Sequence, residues 1–222
     1  MGWLMSSFQA VRLCLAALLF LGLGVISPEV RAEAPEVAEQ YDLGKAALDA
    51  SKPAEALVHF KAALSQADRS LGSTWQMLLA VALTYQELKE PSKSAEMFRR
   101  FLEVTKAHDA LMTEKWRKRR ALVRQELTAL EQTLSETHAV IMVQSTPSGA
   151  AILVDERRAG VDGDAVTPTR LWLAPGEHTI RLELDGYEVV TKRIATRAGQ
   201  LDSFAPELAH QAPPTRAERE DS

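Results

Sequence analysis

The chain has 222 residues, of which 46% are hydrophobic, 25% are charged and only 6% are aromatic. This composition is typical of a globular protein, and it excludes a mostly disordered chain and a polytopic membrane protein. The formal net charge of −4 gives no global attraction to nucleic acid. The single cysteine excludes a disulfide framework and a cysteine-based zinc site.

Residues 1–32 have the layout of a secretory signal peptide. Arg12 and the terminal amine form a positive end, an apolar run covers Leu13–Ile26, and small residues precede a cleavage position after Ala32. An uncleaved membrane anchor is the alternative, but 14 apolar residues are few for a bilayer, which needs about 20. We therefore expect export to the periplasm or cell envelope. Cys14 would be removed with the signal, which leaves the mature chain without a thiol.

Residues 36–136 are rich in Ala, Leu, Glu, Lys and Gln, which favour helices. Pro53 and Pro91 each stand where a new helix would begin, because a missing N–H is harmless at the first helical position. The pattern predicts helices at about residues 36–50, 53–67, 74–90, 92–106 and 108–136.

The first four predicted helices form two similar pairs. Gly44 is followed at offsets of 12, 16 and 19 by Ala56, Phe60 and Ala63, and Ala82 by Ser94, Phe98 and Phe101. A small residue at the crossing lets the paired helix approach, and the Phe fills the gap. These offsets resemble the tetratricopeptide repeat, although the pairs are 38 residues apart instead of about 34. A generic pair of helical hairpins is the alternative.

The resemblance implies a short helical stack with a concave face, on which the family binds peptide segments. The positions that would contact a protein partner there are Tyr41, Lys45, Gln76, Leu79, Leu83 and Gln86. The alternative is that these residues only pack against the last helix of the region.

That last helix has an apolar seam at Val123, Leu127, Leu130 and Leu134, which predicts a cap on the open end of the repeats. Self-association along the seam is the alternative. The same helix carries a basic face, which consists of Lys115, Arg117, Lys118, Arg119, Arg120 and Arg124. This face is interpreted either as a contact for an anionic polymer or membrane headgroups, or as a solvated surface.

At His138 the apolar pattern changes to the period of two that is typical of strands, with turn residues between the runs. It predicts six or seven short strands in an antiparallel β-sandwich over residues 138–209. Residues 210–222 are predicted to be a disordered tail. The predicted fold class is therefore α then β, with a helical-repeat region followed by a small sandwich.

Several separated motifs in this second region resemble the PEGA domain. The name-giving motif is Pro147-Ser148-Gly149-Ala150, and the others are Val154-Asp155, Gly160, Thr167-Pro168, Pro175-Gly176-x-His178 and Gly186-Tyr187. Gly149 and Gly176 stand where a turn favours a residue without a Cβ atom. The resemblance implies an extracytoplasmic module of bacterial envelope proteins, often joined to other domains and without known catalysis.

No recognised catalytic motif emerges from the sequence. The five histidines are scattered without metal-ligand spacing, namely His59, His108, His138, His178 and His210. Asp162-Gly163-Asp164 supplies fewer oxygen ligands than a recognised calcium loop needs. We therefore expect no enzyme activity, no metal and no cofactor.

The sequence as a whole favours an exported envelope adaptor that binds a protein partner through its helical region. The alternative is a module that binds the cell wall, through peptidoglycan or a polysaccharide. Stacking on sugars needs exposed aromatic residues, and the β region offers only Trp172, Tyr187 and Phe204. No nucleic-acid partner is expected, and membrane contact is expected only if the signal is uncleaved.

Overall fold

The computed structural model describes residues 35–67 and 71–211, which belong to two compact units that divide between Gln132 and Thr133. We call them the helical unit and the β unit. The predicted signal peptide, with Cys14 and Ala32, lies outside the described residues, as do residues 212–222 of the predicted tail. No helix in the described ranges is long and apolar enough to span a membrane.

Five α-helices precede the first strand in the described part of the chain. They are α1 (Pro35–Asp49), α2 (Pro53–Gln66), α3 (Leu71–Glu87), α4 (Pro91–Ala107) and α5 (Glu114–Thr137). The start of α5 differs from the prediction, because residues 109–111 form a short 3₁₀ helix and Met112 is extended. The Thr113 hydroxyl accepts a bond from the Trp116 amide, which places the N-terminus of α5 there.

The turns within the two helical hairpins are built alike. Ser51, two residues after the end of α1, has φ of 59°, and Lys89, two residues after the end of α3, has φ of 60°. A proline two residues later, Pro53 or Pro91, begins the next helix in each case. The predicted similarity of the two pairs is therefore visible in the backbone, whereas their assignment to the tetratricopeptide family stays a prediction.

Small residues and phenylalanines form the core of the hairpins as predicted. Ala56 and Phe60 on α2 are fully buried, and so are Ser94 and Phe98 on α4. The Phe60 ring lies directly over Gly44 of α1, which has no side chain to obstruct it.

The β unit contains seven strands among its described residues. They are β1 (Ala139–Val143), β2 (Ala151–Val154), β3 (Arg157–Arg158), β4 (Thr169–Leu173), β5 (Gly176–Glu183), β6 (Val190–Thr196) and β7 (Leu201–Phe204). They form a three-stranded sheet in the order β4-β1-β7 and a four-stranded sheet in the order β3-β2-β5-β6. Helices followed by two mainly antiparallel sheets confirm the predicted fold class.

The two sheets pack face to face around one apolar core. Ile141 and Leu171 enter this core from the three-stranded sheet, and Ile152, Ile180 and Leu182 enter it from the other. One ladder departs from the predicted antiparallel arrangement, because β7 pairs with β1 in parallel. The chain crosses from the four-stranded sheet to the three-stranded one between β6 and β7, and β7 then runs beside β1 in the same direction.

Candidate functional site

The two predicted partner contacts on α1, Tyr41 and Lys45, differ in how deeply they are buried. Tyr41 is fully buried, its ring lies 5.6 Å from that of Phe60, and its hydroxyl accepts a 2.8 Å bond from Gln76 Nε2 on α3. Burial raises the pKa of Tyr41 to about 12, although the bond from Gln76 and the nearby Arg119 act in the opposite direction. Lys45, one turn further along α1, is half-buried.

The contacts predicted on α3 lie mostly inside the helical unit. Leu79 and Leu83 are 0% exposed, and Gln76 and Gln86 are half-buried. Gln86 Nε2 donates a 2.8 Å hydrogen bond to Glu126 Oε1 on α5. The structure thus brings Tyr41 and Gln76 together and ties Gln86 to α5, which is the helix that the packing alternative named.

Glu126 is a residue that the sequence reasoning missed. Only 3% of its surface is exposed, and its second carboxylate oxygen is buried without a hydrogen-bond partner, as is Oε1 of Gln86. Its position one turn after Val123, on the apolar side of α5, is the sequence feature from which its burial could have been predicted. The contact between Gln86 on α3 and Glu126 on α5 therefore leaves two buried acceptors without a donor. Each such acceptor costs about 1–3 kcal/mol.

Three aromatic rings join α5 to the other helices. The Trp116 ring packs edge-on against Trp75 at 5.7 Å, and it lies 6.2 Å from Phe101. The guanidinium of Arg119 covers Trp116 at 5.5 Å from the ring centre. Burial lowers the pKa of Arg119, while the neighbouring Tyr41 acts in the opposite direction.

The six cations of the predicted basic face divide into two groups. Arg119 and Arg120 are half-buried, and Arg120 binds the carbonyl oxygen of Thr105 and the carboxylate of Asp109. The other four are exposed, namely Lys115, Arg117, Lys118 and Arg124. The first group therefore helps to hold α5 in place, and the second points to solvent. Binding of a partner by either set of predicted residues stays a prediction.

His178 in the β unit holds the turn between β2 and β3. Its Nδ1 lies 2.7 Å from Asp155 Oδ2, and its Nε2 lies 2.9 Å from the Ala174 carbonyl oxygen. An imidazole that donates from both nitrogens carries a positive charge. Burial opposes this charge, but the bonds to Asp155 and Ala174 outweigh burial and raise the pKa of His178. Bonds from His178 and from the Thr179 amide lower the pKa of Asp155.

Thr167 organises the segment that contains the Pro-Ser-Gly-Ala motif. It is 2% exposed, and its hydroxyl oxygen accepts 3.1 Å bonds from the amides of Gly149 and Ala150. The same oxygen lies 2.6 Å from the hydroxyl of Ser145, whose own oxygen is 2.6 Å from the Pro147 carbonyl oxygen. Gly149 has φ of 94°, a conformation that favours glycine. These motif residues are thus joined to one another by hydrogen bonds.

The aromatic residues of the β unit offer little flat exposed surface. Phe204 is buried, and the ring of Tyr187 stacks on that of His210 at 4.3 Å. Trp172 is half-buried, with its indole nitrogen buried. Within residues 35–67 and 71–211, no three side chains of His, Cys, Asp or Glu form a group that would hold a metal ion.

Comparison with known proteins identifies one family. No curated protein matches the chain. The PEGA domain family matches residues 138–210, which cover all seven strands of the β unit. A PEGA domain therefore follows the helical region in this chain.

Proposed function

We propose that this protein is an exported, non-catalytic adaptor of the cell envelope. The observation that carries the proposal is the pairing of a PEGA domain at residues 138–210 with a separately compact helical unit. The PEGA resemblance implies an envelope module that is often joined to other domains. In this proposal the helical unit binds a protein partner, and the PEGA domain is a spacer or a second contact surface.

The non-catalytic part of the proposal is supported by the roles of the polar side chains. His178 and Asp155 neutralise each other and fix a turn, and the Thr167 hydroxyl binds two backbone amides. A catalytic base must present an atom to the substrate or to a nucleophile, and here His178 Nε2 bonds instead to the backbone carbonyl oxygen of Ala174. The polar atoms of these three residues are engaged in holding the fold.

The export part of the proposal is supported by the sequence of residues 1–32. A positive end, a short apolar run and small residues before the cleavage position at Ala32 are the features that an export signal requires. Fractionation of cells that express the full chain should place it outside the cytoplasm, shortened by 32 residues. A full-length product in the cytoplasm would contradict export.

The partner surface that we propose is the face of α3 against which α5 packs, together with the neighbouring part of α1 that Tyr41 and Gln76 join to α3. Gln76 and Gln86 reach this face and are half-buried, while Leu79 and Leu83 lie beneath it. A partner helix would bind by replacing α5. The unpaired oxygen of Glu126 supports this mechanism, because a partner that satisfies the buried polar groups would compete well with α5.

Photo-crosslinking in cells tests this surface. A photoreactive residue at Gln76 or Gln86 should capture one and the same protein, and a matched one at Val58, which is 67% exposed on α2, should not. The Gln86→Leu/Glu126→Leu variant removes both partners of the incompletely paired contact and should hold α5 more firmly, which lowers capture at Gln76. Capture at Val58 alone, or capture at Gln76 that this double variant leaves unchanged, would contradict the proposal.

Binding to the cell wall is the second candidate. In the β unit Phe204 is buried, Tyr187 stacks on His210 and Trp172 is half-buried, so these aromatic residues do not favour sugar recognition there. The four exposed cations of α5 favour an acidic polymer instead.

A further inference from the structure

The exposed side of α5 carries a dense positive patch. Residues 115–124 contain six cations and no acidic residue, within about 15 Å of helix. We call the four exposed cations the basic patch: Lys115, Arg117, Lys118 and Arg124. The chain as a whole has a formal charge of −4, so the charge of the patch is opposite in sign to the net charge of the protein.

The fold makes little use of the basic patch. Lys118 lies 3.8 Å from Glu114, and both side chains are at least 70% exposed. Such an exposed pair contributes about 0–1 kcal/mol. The side chains of Lys115, Arg117 and Arg124 form no ion pair or hydrogen bond with any residue that the structure describes. In contrast, Arg119 and Arg120 on the same helix contact Trp116, Thr105 and Asp109.

The positions of the basic patch also oppose helix stability. Lys115 and Lys118 are three residues apart and face each other on the helix surface, where like charges repel. Three of the four cations fall within the first five residues of α5, where the helix dipole disfavours positive charge. Since these cations gain little from the fold and weaken the helix, their charge is better explained by an external anion.

The surroundings of the patch indicate what kind of anion it fits. Val123 is buried and Leu122 is half-buried, so residues 115–124 present no exposed large apolar side chain to insert into a membrane. Trp116 is covered by Arg119, so it is not open for stacking on a base. What remains is a set of four long, flexible cations spread around the exposed side of the helix, which suits a flexible chain of repeated charges.

We propose that the basic patch binds a flexible linear polyanion, which carries repeated phosphate or carboxylate groups. The contacts are electrostatic and are therefore screened by salt. This proposal is independent of the adaptor function, because it uses the outer side of α5 and leaves its inner side unchanged.

The test uses the chain from residue 33 onward and two polymers, long-chain polyphosphate and polyglutamate. The patch variant replaces Lys115, Arg117, Lys118 and Arg124 by Gln. The matched control replaces four other exposed cations by Gln and has the same net charge: Lys89, Arg157, Arg193 and Arg197. We expect binding at low salt that falls at least about tenfold in the patch variant and less than about twofold in the control. The polymer that binds more tightly identifies the charged group.

Thermal unfolding of the same variants gives an independent readout. Because the patch opposes helix stability, the patch variant should unfold at the same temperature as the unmodified chain or a higher one. The smaller variant Arg117→Gln/Lys118→Gln should show an intermediate loss of binding if the larger one fails to fold. Equal loss in the patch variant and the control would overturn the proposal, as would binding to phosphatidylglycerol vesicles without binding to either polymer.

Discussion

Gly44 and Phe60 are in such close contact that a Cβ atom on Gly44 would lie 2.6 Å from Cε1 of the Phe60 ring. Phe60 is fully buried and packs against Tyr41, so its ring has no open space into which to move. This contact sets how closely α1 and α2 approach, and it explains a glycine in the interior of a helix, where glycine is intrinsically unfavourable.

Gly44→Ala should therefore destabilise the helical unit. The gain in helix propensity of about 1 kcal/mol is outweighed by overpacking of about 1–3 kcal/mol. We expect a net loss of about 1 kcal/mol, measured by urea unfolding followed by far-UV circular dichroism. In a Phe60→Leu background the same substitution should cost less, because the smaller side chain leaves room for the Cβ atom. Equal costs in both backgrounds would show that the ring does not set the helix separation.

Thr167→Val should destabilise the β unit. The substitution keeps the shape of the side chain but removes the acceptor for the Ala150 amide, which is a buried donor. An unpaired buried group costs about 1–3 kcal/mol, and hydrogen exchange of the β1 and β2 amides should accelerate accordingly. Thr167→Ser keeps the oxygen atom and is the matched control. If Ser and Val at this position behave alike, the hydroxyl is not what holds the motif segment.

Glu156→Gly should stabilise the β unit. Asp155 and Glu156 form the turn between β2 and β3 with φ of 50° and 63°, where a residue with a Cβ atom is strained. We expect a gain of about 0.5–1 kcal/mol, since the exposed ion pair of Glu156 with Arg181 contributes little. Asp155→Gly relieves the same kind of strain but removes the bonds to His178 and Thr179, so it should destabilise. Thermal unfolding that ranks the two variants in the opposite order would contradict this account.

The stability of the β unit should depend on pH through His178 and Asp155. The pKa of His178 is raised on folding, so its contribution is complete below the ordinary value of 6.5 and is lost as the pH rises through the folded value. The pKa of Asp155 is lowered, so its contribution is complete above the ordinary value of 3.8 and is lost as the pH falls through the folded value. The pair therefore stabilises the β unit most between pH 3.8 and pH 6.5.

Urea unfolding across this pH range checks the prediction. The unmodified chain should lose stability above pH 6.5 in a way that His178→Gln does not, because glutamine does not titrate. His138→Gln is the matched control, since burial lowers the pKa of His138 and this residue contributes the opposite slope. An unchanged slope in His178→Gln would assign the pH dependence to other groups.

The sequence alone was enough to predict the order of the elements, because each depends on local signals. Pro53 and Pro91 begin helices as expected, and Gly149 and Gly176, where a glycine was predicted to be needed, have positive φ, although Gly176 is the first residue of β5 and not part of a turn. The predicted start of α5 was wrong by several residues, since the run from residue 108 has helical composition and only Thr113 provides a cap.

Only the tertiary structure decided which side chains are accessible. Tyr41, Leu79 and Leu83 have the spacing of an exposed groove, yet they are buried in the helical unit, where α5 packs on α3. The six cations of residues 115–124 are alike in sequence, but contacts with Trp116, Thr105 and Asp109 separate two of them from the basic patch. Periodicity determines which residues share a face of a helix, because it follows from the backbone geometry. What that face meets depends on residues distant in the chain, and these only come together in the folded protein.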